Sequence, residues 1–198
     1  MTTENFDGKT FTPENPPGDW EGAEFAGCAF KGCDLTVVPL AGVRFDDCSF
    51  ENCNFSNVRM TNVSFVNIRF TGCKMTGADF SACEKLLLGF HFDRCLLNFA
   101  VFKGLPLKST VFRDCEMKET DFSGADLSSS SFRGCGLPGA VFSRTNLEKA
   151  DFHSARDFLI DPARNRVRKA RFSWPGVLGL LSGFGIVVEP AGEKESDG

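Results

Sequence analysis

The chain has 198 residues, of which 42% are hydrophobic, and this is enough for one domain with a continuous core. Its net charge of −4 comes from 26 acidic and 22 basic residues, so the composition indicates neither a strong nucleic-acid binder nor a heavily acidic surface. Twenty-two phenylalanines stand beside no tyrosine and only two tryptophans. Such repeated use of a single aromatic residue is typical of an internal repeat.

Residues 1–20 are predicted to cap the N-terminal end of that repeat. The stretch FTPENPPGDW is rich in proline, and Trp20 falls in the five-residue register that follows it, so we expect its ring to close the first coil. The first residues lack the basic and apolar regions of a secretory leader. We therefore expect a cytoplasmic, reduced protein, although nine cysteines are present.

Residues 21–82 carry the first run of a five-residue repeat. Every fifth residue from Phe25 to Phe80 is Phe, Leu or Met, and the position two before it is small, as at Ala23 and Cys28. A period of five fits neither a helix nor a strand, so each unit must be one side of a coil that returns on itself. The two recurring positions are predicted to point inward, and the other three to face solvent.

Residues 83–91 break this register once. Phe92 follows Phe80 by twelve residues instead of ten, so the segment SACEKLLLGFHF carries two extra residues. We expect a bulge in which Gly89 relieves backbone strain and one of residues 86–88 enters the core. The break predicts either a local repacking or a protruding loop that fits a partner.

Residues 92–156 resume the repeat, and its centres alternate Phe with Leu or Met. Residues 157–173 depart from the motif but keep a 20-residue spacing, so we expect one more, partly irregular coil. Residues 174–190 predict a short helix that begins at Pro175, followed by a short strand. The last residues, 191–198, are predicted to be disordered.

The predicted C-terminal helix is more apolar than the surface helix of a monomer. Its apolar side predicts either an end cap or a two-fold homodimer interface, and we favour the dimer. No membrane contact is expected, since the uncharged stretch is shorter than a membrane span and contains proline and glycines. The predicted interface residues are Trp174, Pro175, Val177, Leu178, Leu181 and Phe184.

The sequence offers little for catalysis. All nine cysteines fall in the small inward position, where we expect them to fill the core and not to bind metal. His91 and His153 are expected to be solvated, and no nucleotide or zinc-protease motif is present in the sequence. A filled prism has no interior pocket, so we expect no enzymatic activity, no metal and no cofactor.

The repeats GADFS, GADLS, KADFH, GAVFS and NCNFS resemble the consensus A(D/N)LXX of the pentapeptide-repeat family. The resemblance extends from Ala23 to Phe152 and implies an all-β fold, a right-handed quadrilateral β-helix with four repeats in each coil. About six or seven coils stacked about 4.8 Å apart would make a rod on the order of 30 Å long. The C-terminal helix would then cap it.

The chain also resembles the DNA-gyrase protection branch of that family, which includes Qnr, MfpA and the immunity proteins against albicidin and microcin B17. The segments that carry this resemblance are FVNIRFTGCKM, FDRCLLNFAVFKGL and RVRKARFSWPGVLGLL. It implies a homodimer that imitates DNA, binds DNA gyrase or topoisomerase IV, and counters an antibiotic, with no direct nucleic-acid binding. The alternative is an interaction scaffold with another partner.

A DNA mimic needs outward carboxylates at the positions of phosphates. An ordinary solvated surface is the alternative for each charged group in this sequence. Reversing the charges between Asp114 and Asp126 is predicted to weaken the partner complex. The predicted partner contacts are Asp46, Asp47 and Glu51, then Glu84, Lys85 and His91 at the register break, and finally Asp114, Glu116, Glu119, Asp121 and Asp126.

Overall fold

A computed structural model describes residues 4–189, which form a parallel β-solenoid of about eight turns. The predicted all-β pentapeptide-repeat β-helix is thereby confirmed. The predicted disordered tail, residues 191–198, lies outside the described residues. The strands of the described residues, in chain order, are β1 (Asn5–Asp7), β2 (Thr10–Phe11), β3 (Glu24–Ala26), β4 (Ala29–Lys31), β5 (Arg44–Asp46), β6 (Ser49–Glu51), β7 (Ser64–Val66), β8 (Ile68–Thr71), β9 (Phe90–Asp93), β10 (Val111–Arg113), β11 (Ser131–Arg133), β12 (Asp151–Phe152) and β13 (Arg171–Phe172).

Each coil has four sides. Side 1 begins as the sheet β1-β3-β5-β7, and side 2 is the nine-stranded sheet that runs from β2 to β13. Sides 3 and 4 are ladders of single parallel bridges, which pass through Glu116 on side 3 and Asp121 on side 4. Equivalent residues lie one coil apart, as Phe112 and Phe132 do. Nine strands spaced about 4.8 Å apart make a rod about 40 Å long, longer than predicted because the end coils lie outside the recognised repeat.

Phenylalanine recurs because the core is a stack of rings. On side 2 the Phe112 ring lies 5.1 Å from Phe92 at an interplanar angle of 2°, and 5.0 Å from Phe132 at 12°. Phe122 of the opposite side meets Phe112 edge-on, at 5.8 Å and 76°. Both arrangements are favourable for aromatic pairs. The alternation in residues 92–156 therefore places Phe on two opposite sides of the prism.

The small inward position supplies a hydrogen-bond donor as well as space. Thr120 donates through Oγ1 to the Leu97 carbonyl in the preceding coil at 2.8 Å. Cys53 makes the same contact through Sγ, at 3.4 Å from the Phe30 carbonyl. All nine cysteines are buried, as predicted, and burial raises the pKa of Cys48 to about 11. Such a thiol stays protonated at neutral pH and is a poor nucleophile.

The N-terminal segment continues the solenoid. Strand β1 pairs with β3 on side 1, and β2 pairs with β4 on side 2. The half-buried Trp20 ring lies 5.2 Å from Phe25 and 5.7 Å from Phe30. Trp20 therefore packs on the first coil, as its register predicted.

The C-terminal end differs from the prediction. The helix predicted to begin at Pro175, and the strand predicted to follow it, are absent from the described residues. Two 3₁₀ turns, Gly176–Leu180 and Ser182–Phe184, follow β13 instead. Glycine disfavours a longer helix here, and a Cβ at Gly179 would collide with the carbonyl oxygen of Phe158. The prediction of a helix was wrong because it relied on the spacing of apolar residues and did not consider the glycines between them.

Candidate partner-binding surface

A loop protrudes from side 1 where the register slips. Residues 84–89, here called the slip loop, take the place of a strand in the coil after β7. The backbone N–H of Glu84 donates to the Val63 carbonyl at 2.9 Å, and the Gly89 carbonyl accepts from the N–H of Ile68 at 2.8 Å. Both ends of the loop are thus fixed to the preceding coil. Lys85 is exposed and donates through Nζ to a carbonyl of the next coil.

The slip loop exposes two leucines. Leu86 is 76% exposed and Leu87 is 68% exposed, whereas Leu88 is half-buried against the core. Phe90, which is 7% exposed, fills the core just after the loop. The prediction that one of residues 86–88 enters the core is therefore met only in part, by Leu88.

Gly89 has a different role from the predicted one. A Cβ at Gly89 would lie 3.2 Å from the backbone nitrogen of Asn67, so glycine permits a close approach of two chain segments. The left-handed backbone conformation belongs instead to Leu87, with φ of 58°. This conformation is unfavourable for leucine.

His91 lies apart from the slip loop, on side 2. It stands in register between Arg69 and Val111 of the neighbouring coils. Its Nε2 atom is buried and has no hydrogen-bond partner among the described residues. Burial, followed by the charges of Arg69 and Arg113, lowers the pKa of His91. The side chain of His91 is half-buried, so the expectation of a solvated histidine is met only in part there, whereas His153 is exposed.

Asp93 is a buried carboxylate that the sequence pattern assigned to solvent. It is 6% exposed and accepts a hydrogen bond from Arg113 Nε at 2.7 Å, with Arg94 at 3.1 Å. The hydrogen bond from Arg113 lowers the pKa of Asp93, so the carboxylate is charged at neutral pH. Only the coil-to-coil register could have revealed this pair.

The first predicted acidic group is divided between two sides. Asp46 and Asp47 lie on side 1, whereas Glu51 lies on side 2 and pairs with Lys31 at 3.8 Å. Residues 4–53 carry ten acidic and three basic side chains. Their carboxylates on side 1, here called the acidic N-terminal surface, are Asp7, Glu24, Asp46 and Asp47.

The second predicted acidic group encircles the rod instead of lining one face. Asp121 and Asp126 accept hydrogen bonds from the backbone N–H groups two residues later, at 2.8 and 3.0 Å, and thus support their own turns. Glu116 pairs with Arg156 at 2.7 Å. In chain order, the carboxylates occupy the corner after side 2 (Asp114), side 3 (Glu116), the next corner (Glu119), side 4 (Asp121) and side 1 (Asp126).

The predicted dimer segment exposes apolar side chains beyond the last coil. Trp174 is 74% exposed and Phe184 is 60% exposed, and residues 186–188 continue this surface. Of the other predicted interface residues, Pro175 is exposed, and three are half-buried: Val177, Leu178 and Leu181.

Two parts of the chain match descriptions of known repeats. Residues 23–86 match the Pentapeptide repeat region, and residues 95–134 and 125–156 match Pentapeptide repeats in eight copies. The chain belongs to the pentapeptide-repeat family. No curated protein matches the sequence.

The similarity of this pentapeptide-repeat protein to solved structures covers more of the chain than the matched repeats do. Two trypsin-treated variants of QnrB1, a plasmid-mediated fluoroquinolone resistance protein, share its fold. One has a TM-score of 0.64 and 21% identity, over 94% of this chain and 92% of QnrB1. The other has a TM-score of 0.54 and 18% identity, over 94% of this chain and 98% of QnrB1. At this identity the likeness establishes the fold.

The described residues of this pentapeptide-repeat protein contain no group of three His, Cys, Asp or Glu residues placed to hold a metal ion. Within the same range, no helix is long and apolar enough to cross a membrane. A surface cavity of about 580 Å³ lies where the C-terminal turns meet the last coil, beside Phe158 and Pro175.

Proposed function

We propose that this pentapeptide-repeat protein binds DNA gyrase and protects it from a gyrase-directed antibiotic, without catalysis of its own. The supporting observation is the likeness to the resistance protein QnrB1 over 94% of this chain, well beyond the repeats. The sequence resemblance to the gyrase-protection branch supports the same activity, and because that branch includes immunity proteins against albicidin and microcin B17, these two join the candidate antibiotics.

We assign side 1 to the contact with the enzyme. The acidic N-terminal surface presents carboxylates on three successive coils, where a DNA mimic needs negative charge, and the coils themselves are about 4.8 Å apart. The slip loop follows on the same side and adds the exposed Leu86 and Leu87. Charge steers association, and a small apolar contact supplies affinity after the charged surfaces meet.

The proposed active form is a homodimer joined through Trp174, Phe184 and residues 186–188. Exposed aromatic and branched side chains of this kind are typical of protein interfaces. Two rods joined end to end would be about 80 Å long, which is the length of roughly 24 base pairs at a rise of 3.4 Å. Sedimentation of wild-type protein and of Trp174→Ser/Phe184→Ser would test this part separately.

The decisive experiment measures DNA supercoiling by purified gyrase in the presence of albicidin, microcin B17 or a fluoroquinolone. Adding the protein should restore supercoiling with at least one poison, and excess protein without poison should inhibit the enzyme as a DNA mimic does. Decatenation by topoisomerase IV, measured in parallel, identifies the preferred enzyme. Failure to affect either enzyme contradicts the proposal.

Neutralising the acidic N-terminal surface tests the assignment of side 1. Asp46→Asn/Asp47→Asn should raise the protein concentration needed for half-maximal protection about tenfold, equivalent to about 1.4 kcal/mol of binding free energy. Glu119→Gln/Asp121→Asn is the matched control, because it removes the same charge away from side 1, at side 4 and the corner before it, and keeps the side-chain acceptor of the Asp121 turn. Equal losses in both variants would argue against side 1.

Deleting the two extra residues of the register slip tests whether the slip loop contributes to binding. Deletion of Leu86 and Leu87 restores the ten-residue spacing from Phe80 to Phe92, so circular dichroism and cooperative unfolding should remain. Protection should be lost. Full protection by a folded deletion variant would make the slip a local repacking without a role in binding.

The interrupted acidic surface favours a second candidate, an interaction scaffold for a protein other than a topoisomerase. Arg44 lies among the acidic side chains of side 1 and pairs with Asp46 at 3.2 Å. If gyrase and topoisomerase IV are both unaffected, affinity capture with wild-type protein and with the loop-deletion variant would identify a partner that depends on the loop.

A further inference from the structure

The last coils carry the opposite charge from the first. Residues 144–171 contain eight basic and four acidic side chains, although the whole chain has a net charge of −4. The net charge of the whole chain, which argued against a strong nucleic-acid binder, averages over these two ends. Local charge, and not the average, determines the electrostatic potential that a ligand meets at one end.

Six exposed cations form one patch, here called the basic end, on side 1 and its two corners. The backbone N–H of Arg144 donates to the Arg164 carbonyl at 3.0 Å, and that of Lys149 donates to the Arg168 carbonyl at 2.9 Å. These bonds hold the backbones that carry the cations of neighbouring coils about 4.8 Å apart. The members of the basic end are Arg144, Lys149, Arg164, Arg166, Arg168 and Lys169.

Most of the basic end is free of compensating charge. Within residues 4–189, Arg166 pairs with Glu148 at 3.0 Å, and the other five members make no ion pair. Asp126 of the coil below accepts a hydrogen bond from Asn146 at 2.9 Å. Five exposed cations therefore remain available to an anionic ligand.

Two shallow grooves open between these cations, one at each corner of side 1. The first has a volume of about 310 Å³ and is lined by Arg144, Arg164 and Arg166 with the polar Thr145 and Asn165. The second has a volume of about 280 Å³ and is lined by Glu148, Lys149, Arg168 and Lys169. Within the described residues, the small Ala163 is the only exposed apolar side chain that lines either groove. Two separated polar grooves suit rows of phosphates better than a peptide with apolar anchors.

We propose that the basic end binds the phosphate backbone of duplex DNA, independently of its base sequence. Arginine, lysine and small polar side chains are the groups that proteins use for phosphate contacts. Residues 4–189 contain no α-helix to enter a groove of the duplex, so the proposed contacts are restricted to the backbone. The acidic N-terminal surface repels DNA, and the duplex is held at this one end.

The test is fluorescence anisotropy of a labelled 30-base-pair duplex titrated with the full chain, without gyrase, between 50 and 200 mM salt. Five phosphate contacts predict a slope of about −4.5 for log K against log salt. Lys149→Gln/Arg168→Gln/Lys169→Gln should weaken binding at least tenfold at 50 mM salt and make the slope shallower by about 2.7. The matched control, Arg59→Gln/Lys74→Gln/Lys103→Gln, removes the same charge from sides 3 and 4 and should bind as wild type does.

Absence of binding at 50 mM salt, or equal losses in both triple variants with native circular dichroism, overturns the proposal. Poly-glutamate serves as the competitor. If it displaces the duplex at an equal concentration of charge, the basic end binds an acidic protein surface and the DNA assignment is wrong. The assay contains no topoisomerase, so its outcome is independent of the proposed gyrase protection.

Discussion

The carboxylate of Asp93 and the guanidinium of Arg113 join two neighbouring coils of side 2 through a 2.7 Å hydrogen bond. Arg113 lowers the pKa of the buried Asp93 carboxyl from its ordinary value of 3.8. The unfolded state therefore binds a proton more readily than the folded state. Stability from this pair is present above pH 3.8 and is lost as the pH falls through the lower folded-state pKa.

Replacing Arg113 should thus destabilise the rod in a pH-dependent manner. Arg113→Gln should lower the midpoint of urea unfolding at pH 7, because Asp93 loses its strongest partner, and the deficit should shrink below pH 3.8 as Asp93 becomes protonated. Arg133→Gln, in the same column but with no ion pair among the described residues, is the control. A deficit of the same size at both pH values would contradict this account.

His91 predicts a second, milder acid sensitivity. Because its pKa is lowered from 6.5, the folded state keeps the imidazole neutral while the unfolded state takes up a proton below that pH. Stability should therefore fall as the pH decreases from 7 to 5, by at most about 1.4 kcal/mol per pH unit for one proton. His91→Val should flatten this part of a melting-temperature profile, whereas the exposed His153→Val should not. Identical profiles for all three proteins would rule out His91.

The ring stack predicts a large cost for one core substitution. Phe112 lies between Phe92 and Phe132 at 5.1 and 5.0 Å, so Phe112→Ala should reduce the free energy of unfolding by about 3–5 kcal/mol. Phe112→Leu should cost much less, about 1 kcal/mol, because leucine fills equivalent centres on other sides. Urea denaturation of the two variants measures both values. Similar small losses would mean that the coils repack around the missing ring.

The left-handed conformation of Leu87 predicts a stabilising substitution. Leu87→Gly should raise the free energy of unfolding by about 0.5–1 kcal/mol, since glycine adopts a positive φ without steric cost and the leucine side chain is exposed. Leu86→Gly, at the preceding residue, which has no positive φ, should be neutral or destabilising. If Leu87→Gly destabilises the protein, Leu87 makes a contact that outweighs the backbone strain.

The period of five predicted the solenoid, its inward columns and the place of the slip, because each inward residue must match the next coil. Burial of outward residues was not predictable in this way. The surroundings of His91 and Asp93 depend on Arg69 and Arg113, which are 20 or more residues distant in the sequence. Five carboxylates close in sequence likewise dispersed around the coil. The two 3₁₀ turns near the C-terminus were not predicted, because the spacing of apolar residues alone does not distinguish a 3₁₀ turn from an α-helix.

Stacked coils also constrain how such a molecule can change over generations. Each coil contacts only its neighbours, so whole coils can be gained or lost without redesign of a common core. Length is therefore quantised in steps of about 4.8 Å. The slip loop illustrates the other permitted change, because an insertion smaller than one repeat is accommodated as a loop on the surface of the solenoid. The number of coils therefore sets the length of the rod, and an insertion within one coil changes the shape of its surface.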